Sequence, residues 1–173
     1  MKKLKCYVLI HSVVFPSIHP RAGQPTNFFQ SIEKGEKIHT IRANYEYWKN
    51  VVDQVNAGKA YISRRYWTGL PYKSKQKEHS RIYKAGIEKI HLHNKNKEYI
   101  KWQVNNQSTY CKLHMLAQND GLSYQDFLGW FFPYKSLTPQ AFTGAIIHYT
   151  PYRYLYEPTN SMLIKNVVKR HER

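Results

Sequence analysis

The stretch GEKIHTIR, residues 35–42, follows a segment with helical apolar spacing and places a lysine, a threonine and an arginine close together. If the whole stretch were extended, Thr40 and Arg42 would share one face and Lys37 would point to the other. The three side chains converge only if the chain bends near Gly35, where a glycine accepts backbone angles that other residues avoid. A lysine held near other cations or partly desolvated loses its proton more easily and can activate a threonine hydroxyl as a nucleophile. The same residues also fit the polar edge of an ordinary strand, so the spacing alone leaves both interpretations open.

Hydrophobic periodicity around this stretch predicts an α+β fold. Before it, Phe28, Phe29 and Ile32 recur at helical spacing. After it, Asn44 can cap a second helix, which Gly58 can close. Alternation and turn residues predict strands over 6–11, 38–42, 59–67 and 142–150, a hairpin of 85–93 with 97–105, helices over 109–118 and from 123 onward, and loops over 15–25 and 68–81. Scattered strands of this kind favour a small, partly closed β-barrel with flanking helices over a layered parallel sheet.

The charge balance of the chain concerns its partners more than its fold. Lys and Arg together number 27 against 11 Asp and Glu, which gives a formal net charge of +16. Such a surplus favours a polyanion as partner, with nucleic acid ahead of an anionic membrane surface. The alternative is a basic protein that has no physiological polyanion.

The length of the chain and the composition of its two ends predict how many domains it has and where in the cell it is found. With 173 residues and 15% aromatics, we expect one folded domain over residues 1–158 and a basic tail over 159–173 that is disordered, touches nucleic acid or packs as a short helix. The basic, apolar start imitates a secretory signal, but His11 interrupts the apolar run and no small-residue cleavage site follows. No run is long enough to span a bilayer, so no membrane association is expected. Two cysteines indicate no disulfide framework, which favours a cytoplasmic protein.

The region from residue 59 to 84 has the composition of a nucleic-acid-binding surface. Its cations can neutralise phosphates, while its aromatic rings can stack on unpaired bases. This combination favours single-stranded or looped RNA over a duplex, whose bases are not available for stacking. The alternative is that the aromatic residues belong to the core and the charges are only solvated. The binding residues proposed from this region are Arg64, Arg65, Tyr66, Trp67, Lys73, Lys75 and Lys77.

Metal and cofactor motifs are weak or absent in the sequence. The stretch CKLH, 111–114, and the pair His91 and His93 have metal-like spacing, but neither forms a complete ligand set. There is no phosphate-binding P-loop, dinucleotide fingerprint or nucleophile elbow. We therefore expect neither a metal nor a cofactor.

Three stretches together resemble the ASCH family, a branch of the PUA-like superfamily of small β-barrels associated with RNA. GEKIHTIR resembles the Gly-x-Lys-x-x-Thr-x-Arg signature of that family. NDGLSYQDFLGWF, 119–131, resembles its acidic-Gly turn between helices, and FTGAIIHYT, 142–150, resembles its closing strand. The resemblance covers residues 26–150 and implies a PUA-like barrel with an RNA-binding cleft beside the signature.

The resemblance also implies an enzymatic alternative. Some similar proteins are amidohydrolases that remove the acetyl group from 4-acetylcytidine, and another branch is described as ribonucleases. Carried over, Lys37 is the base, Thr40 the nucleophile, and Arg42 a group that can pair with a phosphate or a carboxylate. Asp120 falls where the family has a glutamate, and an aspartate is one methylene shorter, which puts the hydrolase activity in question. We expect an RNA-binding module centred on Lys37, Thr40 and Arg42, with a hydrolase and a protein-interaction module using an exposed aromatic face as the alternatives.

Overall fold

The computed structural model describes residues 3–94, 100–109, 111–133 and 140–155. Within these residues the chain is α+β, with eight strands in two sheets and four short helices, so the predicted fold class is confirmed. The elements are β1 (Lys5–Ile10), α1 (Phe28–Glu33), β2 (His39–Ala43), α2 (Tyr45–Asn56), β3 (Ala60–Trp67), β4 (Gln76–Ile82), β5 (Gly86–Asn94), β6 (Ile100–Val104), β7 (Gln107–Ser108), α3 (Leu113–Asn119), α4 (Tyr124–Phe131) and β8 (Gln140–His148).

The strands form one sheet of three and one of five. The smaller sheet has the order β1-β3-β4, with β1 parallel and β4 antiparallel to β3. The larger has the order β2-β8-β5-β6-β7, and its neighbouring strands are antiparallel. No ladder among the described residues closes the sheets into a barrel, so the predicted partly closed barrel is not confirmed. A side chain spans the gap instead, since Arg42 Nη2 on β2 donates to the Ile10 carbonyl at the end of β1, 2.6 Å away.

Two hydrophobic clusters lie on opposite faces of the five-stranded sheet. On one face, Ile90 and Ile146 pack with Leu116 of α3 and Phe127 of α4. On the other face, the buried side of α2 fills the space between the two sheets, where it contacts Ile62, Ala145 and Ile147 of the strands. The alternation along β8 supplies both clusters, because successive side chains of a strand point to opposite faces.

Most of the predicted elements are present, and their start signals act as expected. The Asn44 side chain accepts a hydrogen bond from Tyr47 N at the start of α2, and Ser123 caps α4 through Asp126 N. Helix α2 buries the predicted stripe, Trp48, Val51, Val52 and Val55. Among the described residues, no helix has the length and apolar composition needed to cross a bilayer.

The prediction of a loop over residues 68–81 is wrong in its second half. Residues Gln76–Ile82 form β4, which pairs with β3 from Ile62↔Ile82 to Trp67↔Gln76. The strand escaped detection because its side chains are polar on both faces, and periodicity reports a strand only when one face is apolar. Residues 95–99 of the predicted hairpin, Tyr110 of the predicted third helix and the predicted basic tail lie outside the described residues. The third helix begins at Leu113, four residues later than predicted.

Candidate functional site

The signature lysine is buried in a contact with the turn between α3 and α4. After α1 the chain bends at Gly35, which has φ 71°, and the Lys37 side chain then runs over Gly121 and the ring of Phe28. Its Nζ donates to the Asp120 carbonyl and to Asp120 Oδ1, the latter at 2.6 Å. Lys37 is only 2% exposed and Asp120 5%. The two residues that the family resemblance links are therefore in direct contact.

Burial and ion pairing shift the pKa values of Lys37 and Asp120 in opposite directions. Burial lowers the pKa of Lys37 from 10.5 to about 8, with Asp120 opposing the shift. Burial also acts to raise the pKa of Asp120, but the Lys37 ammonium and His39 outweigh it and hold the pKa below its usual range. Near neutral pH the aspartate is thus ionised, and a minor fraction of Lys37 is neutral.

Thr40 is separated from the lysine. It lies on β2, is 2% exposed, and no hydrogen bond joins it to Lys37 within the described residues. Its side chain faces Tyr149 instead: burial raises the pKa of that phenol, and Arg42, Arg64 and a hydrogen bond from Thr40 act in the opposite direction. The contact between Lys37 and Thr40 that a hydrolase needs is absent from this arrangement.

A group of cationic and polar side chains, the cleft cation group, lies beside Thr40 and comes from β2, from β3 and from the residues that directly follow β1 and β8. It consists of His11, Arg42, Arg64 and Tyr149. The Tyr149 hydroxyl lies 3.2 Å from His11 Nε2, and the Arg64 guanidinium lies 4.9 Å from the centre of the Tyr149 ring. Arg42 donates to the carbonyls of Ile10 and Ile41. No carboxylate forms an ion pair with either arginine in the described ranges.

Burial in this group suppresses the charge on its histidine. Burial lowers the pKa of His11, and Arg42, Lys37 and Arg64 lower it further, so the ring is neutral at pH 7. Burial also lowers the pKa of Arg64 from its ordinary value, although a guanidinium remains charged. His11 Nδ1 and Arg64 Nε are buried and have no hydrogen-bond partner among the described residues. The cleft cation group therefore carries positive charge for which the described part of the chain supplies no counter-charge.

Aromatic side chains lie next to this group. Phe29 of α1 lies 5.6 Å from His11 and 5.1 Å from Tyr66, measured between ring centres. The ring of His79 stacks on Phe29 at 4.4 Å with an angle of 28° between the planes. We call Phe29, Tyr66 and His79 the aromatic wall. Lys77 is paired with Tyr66 in the β3–β4 ladder and shares its face.

Two of the other residues proposed from the 59–84 region, Arg65 and Trp67, lie on the face of the ribbon away from this group. Because side chains alternate along β3, Arg64 and Tyr66 face the cleft whereas Arg65 and Trp67 lie on the opposite face of the ribbon. There, Arg65 Nε donates to Ser63 Oγ at 2.8 Å, and its Nη2 lies 3.9 Å from a carboxylate oxygen of Glu78. The ring of Trp67 contacts that of Tyr72. Lys73 and Lys75 lie in the turn between β3 and β4.

A second set of buried polar side chains extends inward from Asp120. His39 Nδ1 lies 3.6 Å from Asp120 Oδ1, and His39 Nε2 lies 2.8 Å from the Tyr154 hydroxyl. His148, paired with His39 in the β2–β8 ladder, lies 2.7 Å from a carboxylate oxygen of Glu88. Burial lowers the pKa of His148 from 6.5 to about 4, although Glu88 opposes the shift. We call His39, Glu88, His148 and Tyr154 the inner polar network; the Nδ1 atoms of both histidines have no hydrogen-bond partner among the described residues.

Sequence reasoning missed the inner polar network, His11 and Tyr149. The available signal was polar residues inside otherwise apolar strands, such as Glu88 and His148, which are unusual in a core unless they are paired. Among the described residues, no group of three or more His, Cys, Asp and Glu is arranged to hold a metal ion. The two cysteines, Cys6 and Cys111, are free thiols.

Comparisons of the chain with models of protein families, with curated proteins and with solved structures found no match.

Proposed function

We propose that this chain is a cytoplasmic RNA-binding protein of the ASCH type, with a PUA-like, partly closed barrel. It takes single-stranded or looped RNA into the cleft formed by the cleft cation group and the aromatic wall. The observation that carries the proposal is the convergence of Arg42 and Arg64, neither paired with an acid in the described ranges, beside Phe29 and Tyr66. Arginines of this kind pair with phosphate oxygens, and each base stacked on an aromatic ring contributes about 1–3 kcal/mol.

The β3–β4 ribbon offers a matched test, because its two faces carry similar residues. We expect short mixed-sequence RNA to bind the wild type, with affinity falling steeply between about 50 mM and about 200 mM salt. The double variant Arg64→Gln/Tyr66→Ala, on the cleft face, should lose about tenfold or more in affinity. The double variant Arg65→Gln/Trp67→Ala, on the opposite face, removes the same kinds of side chain and should bind nearly as the wild type does. Equal loss in both variants would reject the cleft as the binding site, and no binding by the wild type would reject the function.

A hydrolase is the second candidate, and the buried lysine favours it. With a pKa of about 8, Lys37 has a neutral fraction that can accept the Thr40 proton. The hydroxyl oxygen would attack the acetyl carbonyl of 4-acetylcytidine, and the proton taken by Lys37 would pass to N4, so that cytidine leaves with a neutral amino group. Water would then cleave the acyl-threonine to release acetate. This step requires Lys37 to move from Asp120 toward Thr40.

The enzymatic candidate is tested by incubating the protein with 4-acetylcytidine and, separately, with RNA. Product formation that rises with pH up to about 8 and disappears in Lys37→Met and Thr40→Val supports the hydrolase. Absence of product from both substrates, with RNA binding intact, leaves the binding module as the function.

A further inference from the structure

Two buried hydrogen-bonding atoms of the cleft cation group have no partner among the described residues. His11 is 1% exposed, and its Nδ1 is unbonded, as is Arg64 Nε on the neighbouring strand β3. Native proteins satisfy nearly all buried polar atoms. His39 Nδ1 and His148 Nδ1 of the inner polar network are unsatisfied as well, but the pair in the cleft cation group lies with two guanidinium groups, and we take it as the position of a ligand with complementary atoms. The remaining nitrogen of His11, Nε2, already contacts the Tyr149 hydroxyl.

The positions of the hydrogens on His11, Tyr149 and Arg64 determine whether the ligand must donate or accept hydrogen bonds. Burial raises the pKa of Tyr149, so its phenol keeps its proton, and we assign that proton as donated to His11 Nε2. A neutral histidine then carries its own hydrogen on Nδ1. Arg64 Nε is a donor in every protonation state of the protein. Both unsatisfied atoms are therefore donors, and they require an acceptor.

The charges around these donors require that the acceptor be an anion. Arg42 and Arg64 bring two guanidinium groups to the site, and the acid that the family resemblance places there, Asp120, already pairs with Lys37. A phosphate monoester carries a charge of about −1.5 to −2 at pH 7 and has three strong acceptor oxygens, whereas an internal phosphodiester carries only one charge. The monoester thus matches two guanidinium groups and the histidine donor more closely.

The aromatic rings around His11 favour a chain end over the middle of a strand. The rings of Phe28, Phe29 and Tyr149 surround His11, with centre-to-centre distances of 6.3, 5.6 and 6.3 Å. An internal phosphodiester needs room for the nucleic-acid chain on both sides, whereas a terminal phosphate enters from one side only. The aromatic wall meets these rings at Phe29, so a terminal nucleotide would place its base on that wall.

We propose that the cleft cation group binds the terminal phosphate monoester of an RNA strand or a nucleotide, with His11 Nδ1, Arg42 and Arg64 as the donors. The proposal names the ligand group at the site of the proposed RNA-binding function and rests on that function for its RNA substrate. Phosphate itself, independent of RNA, is the chemical group recognised.

The test compares three RNA hexamers of one sequence that end in a 5′-phosphate, a 3′-phosphate or hydroxyls only. Each hexamer competes against a labelled RNA in fluorescence anisotropy, and thermal unfolding is measured with inorganic phosphate against chloride at matched ionic strength. We expect one phosphorylated hexamer to bind about tenfold more tightly than the hydroxyl hexamer. Arg64→Gln should abolish this preference, and Arg65→Gln, one position along β3 on the other face, should keep it. Arg64→Lys retains the charge without the Nε donor and should retain RNA affinity while losing most of the preference.

The outcomes separate this proposal from the proposed function. RNA binding with equal affinity for all three hexamers overturns the terminal-phosphate site and leaves RNA binding intact. No RNA binding, together with a phosphate-dependent rise in melting temperature that Arg64→Gln removes, supports the phosphate site and rejects RNA as the ligand. If neither RNA nor phosphate has an effect on the wild type, both proposals fail.

Discussion

The two sides of the candidate site differ in whether their cations have a counter-charge. On one side, Lys37 is enclosed with Asp120, and the carboxylate is shared with His39. On the other side, Arg42 and Arg64 lie among aromatic rings and backbone carbonyls with no ion-pair partner in the described ranges. A cation for which the chain provides a counter-charge contributes to the fold, while one without a counter-charge costs stability and is kept for a ligand. Lys37 is thus the structural half of the signature, and Arg42 is the half that we propose binds a ligand.

Removal of the internal counter-charge is expected to have the largest effect. Asp120→Ala leaves the Lys37 ammonium buried without a partner, and breaking a buried pair in this way costs about 3–5 kcal/mol of unfolding free energy. The same substitution at Asp53, whose contact with Lys49 is exposed on α2, should change stability by about 0.5 kcal/mol or less. Denaturant unfolding of both variants measures the difference.

A second substitution shows whether charge is the cause. Adding Lys37→Met to the Asp120→Ala variant removes the unpaired ammonium and should recover part of the lost stability. If Asp120→Ala is as stable as Asp53→Ala, the pair is not structural and the contrast between the two sides is lost.

Low pH should reduce the stability of the fold, because buried histidines are neutral in the native state. The pKa of His148 is lowered to about 4 in the folded protein, so between that value and 6.5 the unfolded chain binds a proton that the native state does not. Stability therefore falls as pH falls through this window, and His148 alone accounts for a loss of about 2 kcal/mol between pH 7 and pH 5. His39 and His11, whose pKa values are also lowered by burial, act in the same direction.

The histidine contribution is isolated by His148→Gln, whose amide can still donate to Glu88. Unfolding free energies at the two pH values should differ less in this variant than in the wild type, by about 2 kcal/mol. An unchanged pH dependence would mean that His148 does not remain neutral in the fold.

Substitution of Gly121, which lies close to the Lys37 side chain, is expected to have a smaller effect on stability. A Cβ at Gly121 would lie 3.1 Å from both Cβ and Cδ of Lys37, and the residue has φ +74°. Gly58 has a similar φ, +67°, but a Cβ added there would meet nothing within 4 Å. Alanine at Gly58 should thus cost about 1 kcal/mol from backbone strain alone, and alanine at Gly121 about 1 kcal/mol more from crowding. Equal losses in melting experiments would show that the lysine side chain shifts freely and is not held against the turn.

The sequence predicted those parts of the molecule that follow hydrophobic periodicity. Helix α2, strand β8 and the β5–β6 hairpin each carry a regular apolar face, and they were located correctly. Strand β4 could not be found in this way, because His79 faces the cleft while Glu78 and Arg81 lie on the other face. A strand without an apolar face is recognised only from its pairing.

The candidate site was predictable from the signature and, in part, from the 59–84 region, which supplied Arg64 and Tyr66. Lys37, Asp120 and Arg42 were selected by the family resemblance, and the first two are in contact. His11 and Tyr149 come from opposite ends of the chain and meet only through the sheet arrangement, which no local pattern encodes. Strand alternation alone predicts that Arg64 and Arg65 point to opposite faces of β3. The two residues were nevertheless proposed together as binding residues.

The substitution with the smallest expected effect on stability concerns Arg64, on the side of the site that we propose binds a ligand. Arg64 Nε is buried without a partner among the described residues, so Arg64→Met replaces a costly cation with an apolar chain of similar length beside Tyr149. Without ligand, we expect stability between no change and a gain of about 1 kcal/mol, because residues kept for binding are commonly unfavourable to the fold. Arg65→Met, which breaks contacts with Ser63 and Glu78, should instead lose a fraction of a kcal/mol, about 0.5. Thermal unfolding of the two variants in chloride buffer measures both values. A loss at Arg64 as large as that of Asp120→Ala would show that the guanidinium is a structural element like the lysine, and the division of the candidate site into a structural and a binding side would have to be abandoned.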